Sequence, residues 1–432
     1  MKENSKLALG EKIRQVREAR MLSIENVAYA ISSNKSSVSR LERGETGCSA
    51  ENLAKIRKFL DIEKAPLLEP ELDMYRDRIW VWYDLISANK LDEARSMQSD
   101  MSVILDLPYE HNLIGLYLMT EARLLYREGN MPAVDQRLKD ITCYLDNASD
   151  EVLHIYHRNK GAFHNFLNKL DDLKEALRHY LLTFEYVSDN VKPDAQIYFN
   201  IGTVYHSVGK PLKGIVYLER AAIENNRDRA AIDKSIMDYY LAWQYITLGE
   251  TKRPKKMLST CIAHAKSIKN DYTLGLSLRG MGVISLKEEN FDDALDFFEQ
   301  AAECFEYGQG WYNVMLLDKA VCLQKMNKID KYHELIKQIR ELTKGQEEFN
   351  FRIDITEHLR TISDSNSANY LETVAIPRLM AEQGANKLVA LDICRDLEAS
   401  YKKKRAKAKA MAIAVVARDI YEDLFIGDIE FE

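Results

Sequence analysis

Three small residues, Gly202, Ala242 and Gly282, recur 40 residues apart. A fixed period of this length constrains the fold more tightly than any other feature of the chain. Each is followed by a large apolar residue and then a small one at the same offsets: Leu218 and Ala221, Leu258 and Cys261, Phe298 and Ala301. Tyr205 and Tyr245 follow the first two, and Gly209, Gly249 and Asn290 fall where each unit turns. This is the spacing of a helix pair whose members touch at the small position. Glycine inside a helix costs roughly 1 kcal/mol, so its presence there implies close packing. A unit of this size cannot bury its apolar face alone and must stack on copies of itself.

Weaker copies flank the clear ones. Leu91-Asp92-Glu93-Ala94 and Met131-Pro132-Ala133 mark two early units, and Gly161 with Leu173-Lys174-Glu175-Ala176 marks a third with a few residues inserted. Ala320 and Leu323 mark another, and Tyr401 to Arg405 followed by Ala410 and Ala414 a last, Lys-rich one. The pattern resembles the tetratricopeptide repeat. It predicts an all-α array of about nine helix pairs over residues 74–432, wound as a right-handed superhelix with a concave inner surface. Asp364-Ser365-Asn366-Ser367 reads as a loop between late repeats.

Composition narrows the class. Apolar residues make up 46% and charged residues 29%, with only 8 prolines, as in a soluble helical protein. No run of 18 apolar residues exists and no apolar segment follows the N-terminus, so neither a membrane span nor a secretory signal is expected. Six cysteines stand singly, without a CxxC pair. Reduced thiols, a cytoplasmic location and no metal or cofactor are the expectation. The signatures GxxxxGK[ST], HExxH and GxSxG are missing, so an enzyme is not expected. His154 and His157 lack an obvious third ligand and read as surface histidines. The basic run Lys402 to Lys409 reads as a solvated surface.

Charge is uneven. Residues 1–62 carry 12 Lys and Arg against 8 Asp and Glu, a net +4, and the remainder carries 48 against 59, a net −11. A basic head on an acidic body suits a head that meets phosphates. The head reads as four helices. Leu9, Ile13, Val16 and Ala19 line the first. Ser23 caps the second, Asn34 the third, and Ser49 precedes the fourth, with Leu53, Ile56 and Leu60 on one face. Gly44 stands where a left-handed residue ends the third helix. Leu22-Ser23, Val27-Ala28 and Val38-Ser39-Arg40-Leu41-Glu42-Arg43-Gly44 resemble the Xre or lambda-repressor type of helix-turn-helix. The resemblance implies that Lys35, Ser36 and Arg40 meet base edges in the major groove, that Ser37, Ser39 and Arg43 meet phosphates, and that Arg17 and Glu42 form an internal ion pair. Ile24 replaces a Gln that often grips phosphate in this family. Residues 63–73, with Pro66 and Pro70, read as a linker.

The head and the array together resemble the RRNPP family of peptide-sensing quorum receptors, most of all its NprR-type members. That resemblance implies a homodimeric transcriptional regulator that binds an operator duplex and senses a short imported signalling peptide in its concave groove. The alternative it implies is a scaffold that inhibits or dephosphorylates a signalling protein. An extended peptide needs amides for its backbone, aromatics for its apolar side chains and a cation for its carboxylate. Gln196, Asn200, Thr203 and His206 recur at helical spacing. Tyr239, Trp243 and Arg279 occupy comparable places in the next two units, and His164 and Asn165 in the preceding one.

Overall fold

The computed structural model describes residues 3–65, 67–107, 110–189, 191–228, 234–308, 310–381 and 384–426. Pro66, the first proline of the expected linker, lies outside them. The described residues are helical throughout, with no strand among them.

The head consists of α1 (Glu3–Ala19), α2 (Ile24–Ala30), α3 (Lys35–Glu42) and α4 (Ala50–Phe59). Local chemistry sets their starts. Ser23, Asn34 and Ser49 each accept, at 3.2, 2.8 and 3.2 Å, the backbone N–H three residues on, so each helix has one of its orphan donors satisfied. Gly44 takes φ 70° after α3, a conformation most side chains resist. Leu9, Ile13, Val16, Val27, Val38, Leu41, Leu53, Ile56 and Leu60 form the buried core. Gly10 lets α1 approach α3, since a Cβ there would stand 2.1 Å from the Leu41 carbonyl oxygen.

Among the described residues the body follows as eight helix pairs and one set of three helices. The early ones are α5 (Glu69–Ser87) with α6 (Leu91–Met101), α7 (His111–Arg127) with α8 (Met131–Asp140), and α9 (Asp150–Leu167) with α10 (Leu170–Leu182). Next come α11 (Ala195–Ser207) with α12 (Pro211–Asp228), α13 (Lys234–Thr247) with α14 (Lys252–Ile268), α15 (Asp271–Lys287) with α16 (Phe291–Glu303), and α17 (Gly310–Lys325) with α18 (Ile329–Leu342). The last are α19 (Glu347–Arg360) with α20 (Ser365–Tyr370) and α21 (Ile376–Ala381), and α22 (Gly384–Lys403) with α23 (Lys407–Tyr421). The periodic small positions do what the spacing predicts. A Cβ on Gly202 would stand 2.6 Å from Leu218, and one on Gly282 2.5 Å from Phe298, each the partner 16 residues on. Gly161 meets Tyr180 instead, at 2.8 Å, so the extra residues of that unit lie between its two contact points.

Two local expectations change. Ser365, Asn366 and Ser367 are not a loop. The Asp364 carboxylate accepts the Asn366 and Ser367 N–H groups at 2.9 and 3.1 Å and so starts α20 on them. Glu69 to Asp73, expected in the linker, form the first turn of α5. The Glu71 carboxylate accepts the Leu67 and Leu68 N–H groups at 3.0 Å and pairs with Arg57 of α4. Ala65 and Leu67 lie in the core of the head together with Leu107. Tyr75 of α5 donates to the Lys64 carbonyl, and Lys12 of α1 pairs with Glu110.

By compactness the chain forms two units, Met1–Phe166 with Arg178–Lys192, and Leu167–Leu177 with Pro193–Glu432. The head therefore shares a unit with the first helix pairs.

Candidate DNA-reading face and ligand groove

Helix α3 buries Val38, Leu41 and Glu42 and turns its other faces outward. Lys35, Ser36, Arg40 and Arg43 are exposed, and Ser37 and Ser39 are half-buried. The helix is fixed from behind. Arg17 Nε and Nη2 donate to the two Glu42 carboxylate oxygens at 2.7 and 2.9 Å, and Nη1 donates to the Leu22 carbonyl at 2.9 Å. Side-chain exposure of this pair is 8% and 3%. The bond to Glu42 holds the Arg17 guanidinium above its usual range. The forked geometry allows no roll of α3 against α1 without breaking a bond.

The outward side chains are partly engaged with each other. Lys35 Nζ lies 2.5 Å from Glu25 of α2, and that bond holds the Glu25 carboxyl below its ordinary value. Arg43 bonds Glu45 at 2.6 Å and the Ser39 hydroxyl at 2.7 Å. Arg40 makes no ion pair among the described residues. Sequence reading did not single out Tyr29, which is 89% exposed on α2 one turn after Glu25. A tyrosine at the i+4 position from a surface glutamate carries no motif.

The groove residues separate by unit. His164 and Asn165 belong to the first and the other seven to the second. In the second unit α11, α13 and α15 are successive neighbours, and α22 also reaches α11. Gln196 donates to the Asn200 side chain at 2.8 Å, and Thr203 donates to the Asn200 carbonyl at 2.9 Å. His206 lies 3.3 Å from Gln244 Oε1. Burial pulls the His206 imidazole below its ordinary value; the Gln244 bond opposes this and the nearby Arg279 charge adds to it. An aromatic run links the two helices, Phe199 to Tyr240 at 5.4 Å, Tyr240 to Tyr239 at 5.2 Å, and Tyr239 to Trp243 at 6.3 Å. Arg279 sits over the Trp243 ring at 4.9 Å and the Trp311 ring at 5.8 Å, with Nε bonded to Asp318 at 2.6 Å. Trp311 and Asp318 lie one repeat further on and were invisible to a repeat-by-repeat reading.

His154 and His157 are not surface histidines. His154 is buried, with Nδ1 donating toward the Thr183 and Tyr186 carbonyls at 3.0 and 2.8 Å. His157 Nδ1 faces buried His179 Nδ1 at 2.8 Å, and Arg178 Nη2 lies 3.3 Å from His179 Nε2. Arginine can only donate, so His179 holds its proton on Nδ1 and gives it to the His157 lone pair. His164 stacks on His179 with ring centres 6.0 Å apart. No group of three or more His, Cys, Asp or Glu among the described residues is placed to hold a metal.

Residues 8–68 match a family described as a helix-turn-helix domain. The chain also has the fold of several solved proteins. The apo form of the quorum sensor NprR from B. thuringiensis is 16% identical, with 81% of this chain and 99% of that one covered and a TM-score of 0.64. NprR in complex with its cognate peptide NprX aligns with a TM-score of 0.63 at 16% identity, covering 80% and 99%. A Rap protein complexed with Competence and Sporulation Factor aligns with a TM-score of 0.66 at 16% identity, covering 82% and 99%. No curated protein matches by sequence. The chain thus joins a helix-turn-helix head to the helical-repeat fold of the NprR and Rap proteins. No described helix is long and apolar enough to cross a membrane.

Proposed function

We propose that this chain is a transcriptional regulator that binds an operator duplex through its head and a short signalling peptide through its repeats, the peptide switching DNA binding or oligomeric state. One observation carries the reading. A helix-turn-helix whose third helix presents Lys35, Ser36 and Arg40 to solvent is joined to the repeat fold of a quorum sensor solved with its peptide.

Lys35 and Arg40 read base edges in this proposal, and Ser37, Ser39 and Arg43 hold phosphates. Because Lys35 and Arg43 already pair with Glu25 and Glu45, phosphate or base contacts replace existing exposed pairs, which are worth little in water. The variant Lys35→Ala/Arg40→Ala is expected to lose about 1–3 kcal/mol per base contact, read by fluorescence anisotropy on a duplex selected from a random pool. Wild-type affinity in the double variant would remove the assignment.

In the second unit the Asn200 amide, aligned by Gln196, is proposed to pair with a peptide unit of the ligand, giving a donor and an acceptor from one planar group. Asn200→Ala is expected to weaken binding by about 1–3 kcal/mol at unchanged helicity. Calorimetry with the short peptide encoded beside the gene measures it, and undiminished affinity places the peptide elsewhere.

A homodimer completes the reading, since one head reads only a half-site. The outer face of α23 suits it. Ala408, Met411, Ala412 and Val415 are exposed there, Met411 at 73%. Lys407 and Lys409 open the helix, and Asp419 and Glu422 close it. An antiparallel copy sets each Lys-rich end against the cluster of Arg418, Asp419 and Glu422. Light scattering is expected to give twice the chain mass of 49.9 kDa, and Met411→Glu/Val415→Glu to halve it. A wild-type protein of single-chain mass contradicts the proposal.

The Rap match supports the second reading, in which the same repeats bind and inhibit or dephosphorylate a signalling protein. The exposed cations of α3 favour the first.

A further inference from the structure

We propose that the second unit recognises a carboxylate of its ligand at Arg279, held as a preformed fork between two indoles. The inference rests on the peptide-groove reading and adds the chemistry of the group that the groove selects.

Three observations converge. First, the guanidinium is fixed on three sides. Trp243 and Trp311 lie against it at 4.9 and 5.8 Å, and Asp318 takes its Nε at 2.6 Å. Burial pulls this guanidinium down most strongly, but the Asp318 charge and hydrogen bond, with Tyr239, together hold it above its ordinary value. Second, its distal edge is open. The hydrogen bond to Asp318 uses Nε, and the two Nη atoms bond no described protein atom, on a side chain that is 20% exposed. Third, the Trp243 ring that Arg279 faces is steadied through its indole N–H, which interacts with the Tyr239 hydroxyl.

The geometry selects a planar anion. Two parallel Nη–H donors match the two oxygens of a carboxylate. The aromatic run through Tyr239 and Tyr240 gives an adjacent apolar residue of the ligand a surface to lie on. The carboxylate can be the terminus of a peptide or an Asp or Glu side chain.

The test uses random hexapeptide pools, with retention on the full-length protein after gel filtration read by mass spectrometry. One pool is a free acid lacking Asp and Glu, one is its C-terminal amide, and one is an amide that includes Asp and Glu. Retention of the first over the second by at least ~10-fold is expected for a terminal carboxylate, and of the third over the second for a side-chain carboxylate. Arg279→Gln abolishes the discrimination, and Arg279→Lys, which keeps charge but not the fork, retains only part of it; circular dichroism checks that both variants stay folded. Equal retention of all three pools by wild type overturns the carboxylate proposal and leaves the groove standing. Retention of none overturns both.

Discussion

Glu42→Ala is expected to destabilise the head by about 3–5 kcal/mol, because it leaves the Arg17 charge buried without its partner. Arg17 gives four hydrogen bonds inside the head, two of them to Glu42 and one to Glu18. Removing the carboxylate strands the Nε donor and leaves Nη2 only the half-exposed Glu18 carboxylate. The loss is comparable to the whole stability of a small domain. Glu42→Gln keeps one acceptor and falls between. Arg17→Met/Glu42→Leu removes both charges and is expected to recover most of the loss, since apolar replacement of a whole buried pair is often neutral or better. Urea unfolding of the three variants, with operator binding as a second readout, checks the order. A single Glu42→Ala variant as stable as wild type would show that the pair contributes nothing.

Mild acid is expected to weaken the first unit. Burial, reinforced by the Lys160 and Arg178 charges, lowers the pKa of His157 to about 4, and burial together with His157 lowers that of His179 to about 3. His154 and His164, which face the same pair, add to the effect. Both rings therefore stay neutral in the fold while the unfolded chain protonates them near pH 6.5. The unfolded state binds more protons below that pH, so stability is fully present above 6.5 and is lost as pH falls toward the folded values. Each ring contributes a slope approaching ~1.4 kcal/mol per pH unit, and the two together remove roughly 3 kcal/mol between pH 6.5 and 5.0. Urea unfolding at these two pH values measures it. His157→Gln/His179→Gln is expected to flatten the slope, and an unchanged slope would assign the acid sensitivity to other groups.

What could be read from the sequence follows from distance along the chain. The caps at Ser23, Asn34 and Ser49 act over three residues, and the contacts of Gly202 and Gly282 over 16, at offsets the repeat fixes. Arg17 and Glu42 are 25 residues apart yet were legible because the helix-turn-helix pattern holds their register. His157 and His179 meet across two helices with no such register, in the unit whose inserted residues break the repeat. Asp318 and Trp311 reach Arg279 from the following unit, so no single repeat contains the cluster. The α20 start at Asp364 was hidden because Asp, Ser and Asn favour both turns and helix beginnings.

The joint between α4 and α5 bears on how the molecule measures DNA. Arg57, Glu71, Tyr75 and the buried Ala65 and Leu67 leave the head no slack against the first repeats. In the proposed dimer each of the two heads is fixed to its own first repeats rather than tethered to them. One base pair inserted between half-sites moves the second by about 3.4 Å and turns it by roughly 35° around the duplex axis. A tethered head could follow that displacement with its linker. In the proposed dimer a head docked on its first repeats has no linker to extend, so operator spacing is expected to count in recognition alongside the bases.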